Sequence, residues 1–104
     1  MLKRNGKYHF MWSCGDWTNG TYCVRTCVSD NPFGPFDNEH TILEAAEIAD
    51  GPGHHGFLKV EGTEDEWLIV YHRRTIGDKN SHNRYLCIDK LEFDGNYIKP
   101  VIMT

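Results

Sequence analysis

The chain has 104 residues, 39% hydrophobic and 25% charged, with a net charge of −4, which are ordinary proportions for one globular domain. The acidic balance argues against a nucleic-acid partner, which would need a basic face to neutralise phosphates. No membrane partner is expected either, since no apolar run approaches the roughly 20 residues that a helix needs to span a bilayer.

Met1-Leu2 is followed at once by Lys3, Arg4, Asn5 and Gly6, without the apolar core of about 7–15 residues that a secretion signal carries. The expectation is a cytoplasmic protein or, the reading favoured here, a polypeptide that continues upstream of Met1. The rest reads as short strands cut by turn signals. The predicted strands are Lys7–Ser13, Thr21–Ser29, Thr41–Ala46, Gly56–Val60, Glu66–Arg73, Arg84–Phe93 and Tyr97–Val101. Asp16–Gly20, Asn31–Phe36, Asp50–Gly53 and Asp94–Asn96 separate them, each with the Gly, Pro, Asn or Asp of a tight reversal. Asp94-Gly95 between apolar runs is a hairpin signal. Leu43–Ala49 has helix-forming composition but spans under two turns without a clear cap, and is read as strand and loop.

Two stretches repeat each other. Tyr8 and Trp12 follow a Gly-containing turn, and Trp67 and Tyr71 follow another 59 residues later. Both strands are apolar at consecutive positions, so both of their faces need cover. Stacked propeller blades supply it; a two-layer sandwich is the alternative. The fold class expected is all-β, built of four-stranded antiparallel blades, with blade-like units at about 1–50 and 51–104. Tyr8, Trp12, Trp67 and Tyr71 are assigned to the core.

The four cysteines are Cys14, Cys23, Cys27 and Cys87. Cys23 and Cys27 lie about 13 Å apart along one strand, too far for a disulfide. The lack of a Cys-x-x-Cys pair argues against structural zinc. Buried free thiols are expected.

Five motifs stand in a fixed order: Lys3–Ser13; Ser29-Asp30-Asn31-Pro32-Phe33-Gly34-Pro35-Phe36; Gly51-Pro52-Gly53-His54-His55; Tyr71-His72-Arg73-Arg74; and Arg84–Gly95 running on to Pro100-Val101. In this order and spacing they resemble the last two blades of the five-bladed propeller of glycoside hydrolase family 43. The resemblance implies a C-terminal portion of an inverting glycosidase acting on β-xylosides or α-L-arabinosides. Its partners would be an oligosaccharide of xylose or arabinose and either a complementing N-terminal propeller part or further copies of itself. In the family the general base and an orienting residue are Asp, and the acid is a Glu, usually in Glu-Gly-Pro. None of these has a matching position here, so no catalytic residue is carried over. Gly56 also stands where the family usually has Ser.

Inverting hydrolysis requires two carboxyl groups about 6.5–9.5 Å apart. Asp50 reads better as a turn-stabilising residue, Asp89 as a buried structural acid, and Glu64-Asp65-Glu66 as a solvated tip. His54 is the leading site residue, since the Gly-Pro-Gly lead-in lets the backbone approach a cavity and imidazole serves as ligand or donor. By resemblance it sits at the propeller axis, in some members beside a calcium ion. No cofactor is required, and one calcium near His54 is the only ion implied. A hard cation on one imidazole is a weak arrangement. His55, adjacent on an extended segment, points the other way and is read as packing. Arg84, at the start of a strand after a polar loop, has a planar fork suited to a vicinal diol or a carboxylate. By resemblance it reaches the sugar pocket; the alternative is a surface arginine. Trp17, in its turn, either stacks on a sugar face or covers the blade edge. Arg73 and Arg74 point to opposite sides, so at most one faces a cavity. A stand-alone sugar-binding module remains the competing function, and a metal-binding protein centred on His54 and His55 a third.

Overall fold

Turn residues cut the chain into nine strands in a computed structural model that describes residues 1–80 and 82–104. They are β1 (Leu2–Arg4), β2 (Lys7–Cys14), β3 (Cys23–Ser29), β4 (Asp37–Leu43), β5 (Asp50–Lys59), β6 (Trp67–Arg74), β7 (Tyr85–Leu91), β8 (Phe93–Asp94) and β9 (Tyr97–Ile98). No described residue is helical. β1-β2-β3-β4 form one antiparallel sheet in chain order, β5-β6-β7 a second, and β8-β9 a hairpin.

Several boundaries differ from the sequence expectation. β1 was not predicted; Asn5 and Gly6, with φ of 51° and 77°, make the reversal that folds it onto β2. The strand expected at Gly56 starts at Asp50, so the Gly-Pro-Gly segment lies inside β5. Pro52 is tolerated there because the pairing with β6 is irregular between Asp50 and Gly53 and again before Gly56. β4 ends at Leu43, and Ala46 only bridges to Ala49. The long strand expected from Arg84 breaks at Glu92, after which Gly95 (φ 60°) turns β8 into β9.

The sheets stack face to face. Leu2, Met11, Val24, Ile42 and Leu43 of the first sheet meet Ile69, Tyr71 and Leu91 of the second, with Ile98 closing the cluster. The C-terminal segment returns to the first sheet: the Val101 N–H donates to the Ile42 carbonyl (2.6 Å), and Tyr97 stacks on His40 at 4.4 Å between ring centroids. At the far end Arg4 holds the Asp65 carboxylate with two nitrogens (2.8 and 2.6 Å) and lies over the Phe93 ring.

Alternation along the strands assigns each sheet a second face. In the first it carries Tyr8, Phe10 and Trp12, of which Phe10 is 41% exposed, stacks on Trp12 and meets Phe36 at a tilt. In the second it carries Leu68, Val70 and His72 beside Leu86 and Ile88, the last two 76% and 55% exposed. The two sheets are in phase. By the 59-residue repeat Trp67, Ile69 and Tyr71 correspond to Tyr8, Phe10 and Trp12, yet only Ile69 and Tyr71 are buried, with Trp67 half-buried against the core. Tyr71 is therefore core and Trp67 half-buried at the edge of that core, whereas Tyr8 and Trp12 are half-buried on an open face, contrary to the expectation that all four aromatics are core. Each face buried in one sheet is open in its mate, the pattern of units stacked head to tail.

Candidate functional site

Two loops and the start of β5 converge at one end of the stacked sheets. The first loop, residues 15–22 between β2 and β3, is shaped by its own side chains. Asp16 Oδ1 accepts from the N–H and hydroxyl of Thr18, and Asn19 Oδ1 accepts from both groups of Thr21. The second loop follows β6 and leads to β7. There Asp78 Oδ1 accepts from the Asn80 N–H and Asp78 Oδ2 from the Asn83 side chain. Arg74, 4% exposed, ties the two together by donating weakly to the carbonyls of Thr18 (3.5 Å) and Asp78 (3.4 Å).

Within this frame the three residues singled out from the sequence fall into two contacting pairs, Arg84 with Trp17 and His54 with His72. The Arg84 guanidinium lies 4.9 Å from the centroid of Trp17, which is 44% exposed and also faces His82 at 6.1 Å. The His54 and His72 rings are 5.9 Å apart, and Tyr22 stacks on His72 at the same distance. Arg84 is close enough to act electrostatically on His72.

His54 adopts φ 49°, a left-handed conformation uncommon outside glycine. Its N–H donates to Ser13 Oγ (3.0 Å), pinning β5 to β2 across the sheet boundary. His54 is exposed whereas His55 is half-buried, as packing requires. Burial first, then the charge of Arg84 and the rings and guanidinium around it, hold His72 below the ordinary histidine range, so it is neutral at pH 7. Neither of its ring nitrogens has a hydrogen-bond partner among the described residues.

Sequence reasoning missed Tyr22 and left His72, Arg73 and Arg74 ambiguous. One signal was present. Gly53 has an ordinary φ, so it is not needed for backbone freedom. A Cβ there would lie 2.3 Å from the Tyr22 ring, so glycine is what lets that ring close over the strand.

The carboxylates are committed elsewhere. Asp89, 7% exposed, accepts from the Tyr71 hydroxyl (2.5 Å) and from the Thr104 hydroxyl (2.5 Å) and N–H. Asp65 is held by Arg4 and the Trp67 indole N–H, and hydrogen bonding to Arg4 draws it down to about 2. Asp50 lies in β5 opposite Arg74, with its carboxylate against Gly20. Among the described residues no three His, Cys, Asp or Glu side chains gather as a metal cluster. The donors beside His54 are a second imidazole and a hydroxyl already accepting a hydrogen bond, a set that does not fit calcium, which takes six to eight oxygens.

The comparisons agree with this architecture. The family model described as "Glycosyl hydrolases family 43" matches residues 1–97. The chain is 36% identical over 107 aligned positions to the beta-D-galactofuranosidase of Aspergillus niger, covering 100% of this chain and 31% of that protein. It is 33% identical to a beta-xylosidase of Xylanibacter ruminicola, covering 97% and 29%. Thus it spans about a third of the length of these relatives. Among solved structures, an alpha-L-arabinanase of Cellvibrio cellulosa complexed with arabinohexaose superposes with a TM-score of 0.77 at 18% identity, over 97% of this chain and 35% of that one. A thermostable family-43 glycoside hydrolase gives 0.75 at 28% identity, over 96% and 33%. The two in-phase sheets are blades of the five-bladed propeller seen in these matches, and the chain belongs to glycosyl hydrolases family 43.

Proposed function

We propose that this chain forms one side of the sugar pocket of a family 43 glycosidase acting on xylose- or arabinose-containing oligosaccharides, with the acid, base and orienting carboxylates on polypeptide outside it. The observation that carries this reading is the constellation of His54, His72, Arg84 and Trp17, brought together at one end of the blades by two internally hydrogen-bonded loops. Arg84 presents fork-shaped donors to sugar hydroxyls and adds positive charge near carboxylates facing it from the rest of the ring. Trp17 offers an aromatic face to a pyranose or furanose. Neutral His72, its ring nitrogens buried, packs behind His54 and adds no second positive charge to the site. His54 stands exposed at the constellation's edge, its backbone held by Ser13.

Proton transfer is assigned to groups outside this chain. Asp89 is occupied by hydrogen bonds from Tyr71 and Thr104, and Asp65 by its ion pair with Arg4, so both carboxylates serve structural roles away from His54 and Arg84. Calcium is given no part in these steps, because the donors around His54 do not suit it.

The test is hydrolysis of nitrophenyl xyloside and nitrophenyl arabinofuranoside by the purified chain. No turnover above a mock purification is expected; turnover abolished by Asp50→Asn or Asp89→Asn overturns the proposal. The exposure of Trp17 beside Arg84 favours one second reading, a free-standing sugar-binding module. Titration calorimetry with xylo- and arabino-oligosaccharides separates the two: saturable binding by the isolated chain at millimolar or lower concentration supports the module.

A further inference from the structure

We propose that Cys14 and Cys23 form a reversible disulfide that staples the Trp17 loop at its base. The two residues are directly opposed in the register of β2 and β3, and their Sγ atoms are 2.8 Å apart. Opposed residues of an antiparallel pair have Cα atoms about 4.5–5.5 Å apart, inside the roughly 4.4–6.8 Å that a disulfide spans, so neither strand has to slide. The other thiols have no such mate. Cys27 stands opposite Phe10, and Cys87 opposite Tyr71.

The bond would close residues 15–22, which carry Trp17 and the Thr18 carbonyl that Arg74 grips. That loop is already shaped by the Asp16 and Asn19 side chains, so the crosslink preserves an existing arrangement.

The oxidant is a low-molecular-weight disulfide such as oxidised glutathione. The Cys14 thiolate attacks one of its sulfurs, forming a mixed disulfide and expelling one glutathione thiolate. Cys23 then loses its proton to solvent and attacks the Cys14 sulfur, forming the intramolecular bond and expelling the second. Two protein thiols and one glutathione disulfide become one protein disulfide and two glutathione thiols. Burial and the hydrogen bond with Cys14 push the Cys23 thiol up to about 11. Closure is consequently slow at neutral pH and quickens by about tenfold per pH unit as the Cys23 thiolate fraction grows. The first attack relieves one of those causes by consuming the Cys14 thiol.

The proposal does not depend on the sugar chemistry above. The chain is incubated with oxidised glutathione at pH 8.5, the remaining thiols are alkylated, and the peptides are mapped by mass spectrometry. The expected result is loss of two of the four alkylatable thiols, a Cys14–Cys23 crosslinked peptide, full reversal by dithiothreitol, and scattered pairing when the oxidation is done in guanidinium. The Cys27→Ser/Cys87→Ser variant should form the same crosslink. Four alkylated thiols, a stable glutathione adduct at Cys14 without closure, or pairing through Cys27 or Cys87 each overturns it.

Discussion

Gly53→Ala tests the packing of Tyr22 and His72 against β5. An added Cβ would lie 2.3, 2.5 and 2.9 Å from Tyr22 Cε2, Cδ2 and Cζ, and a rigid ring cannot yield as the tip of a long side chain can. Tyr22 is held in place by its stack on His72, so it must leave that stack or β5 must shift. Overpacking by one methyl typically costs about 1–3 kcal/mol, and the closeness of three ring atoms places this case near 2. For a chain of 104 residues that corresponds to a melting midpoint lower by about 9 °C. The assay is thermal and urea unfolding of four proteins: wild type, Gly53→Ala, Tyr22→Ala and the double variant. Removing the ring removes the clash, so the cost of the methyl should fall by at least about 1 kcal/mol in the Tyr22→Ala background. An equal cost in both backgrounds would refute the packing argument, as would a Gly53→Ala variant as stable as wild type.

Tyr71→Phe removes the hydroxyl donated to buried Asp89 and leaves that carboxylate only its Thr104 donors; urea unfolding should show a loss of about 2 kcal/mol, and a loss under 0.5 would contradict the assigned bond. His9, His55 and His72 are all held below the ordinary histidine range, chiefly by burial. The unfolded chain therefore binds protons first, and stability present above about pH 6.5 should fall as pH drops through that value. Melts at pH 7.5 and 5.5 check this, and an equal or higher midpoint at pH 5.5 would be inconsistent with it. Millimolar calcium should leave the melting midpoint unchanged, whereas a saturable rise would show that a cation site exists around His54.

How legible the molecule was in its sequence varies by region. The strands of the core were visible because apolar residues and turn signals repeat at close spacing, and the phase relation of Tyr8/Trp12 to Trp67/Tyr71 carried the blade repeat. The same pattern misled about burial. A sequence shows that a strand is apolar on both faces, not whether the neighbour that covers each face is present, so Tyr8 and Trp12 were placed in a core that here is open. The Gly-Pro-Gly segment was read as a turn from composition, but irregular pairing accommodates it inside β5. His54, Arg84 and Trp17 were singled out because each sits beside a turn or strand-end signal, the first two within motifs that resemble the family's. Tyr22 was not, and His72 was left ambiguous beside Arg73 and Arg74, because their packing arises from contacts across strands that local spacing does not show. Cys14 and Cys23 escaped for a like reason, because their pairing depends on the exact register across a nine-residue separation.

The claim under all of this is that the chain is two stacked blades of a ring, with two complementary faces open. Phe10, Trp12 and Phe36 line one, and Leu58, Leu86 and Ile88 the other. Exposed apolar patches of this kind drive association, and in-phase stacking makes the contact heterologous, so copies should add head to tail. Sedimentation velocity across a concentration series tests this most directly. The account predicts species that grow with concentration and shrink on Leu86→Lys/Ile88→Lys substitution; a monodisperse monomer at every concentration, melting in one sharp transition, would contradict it.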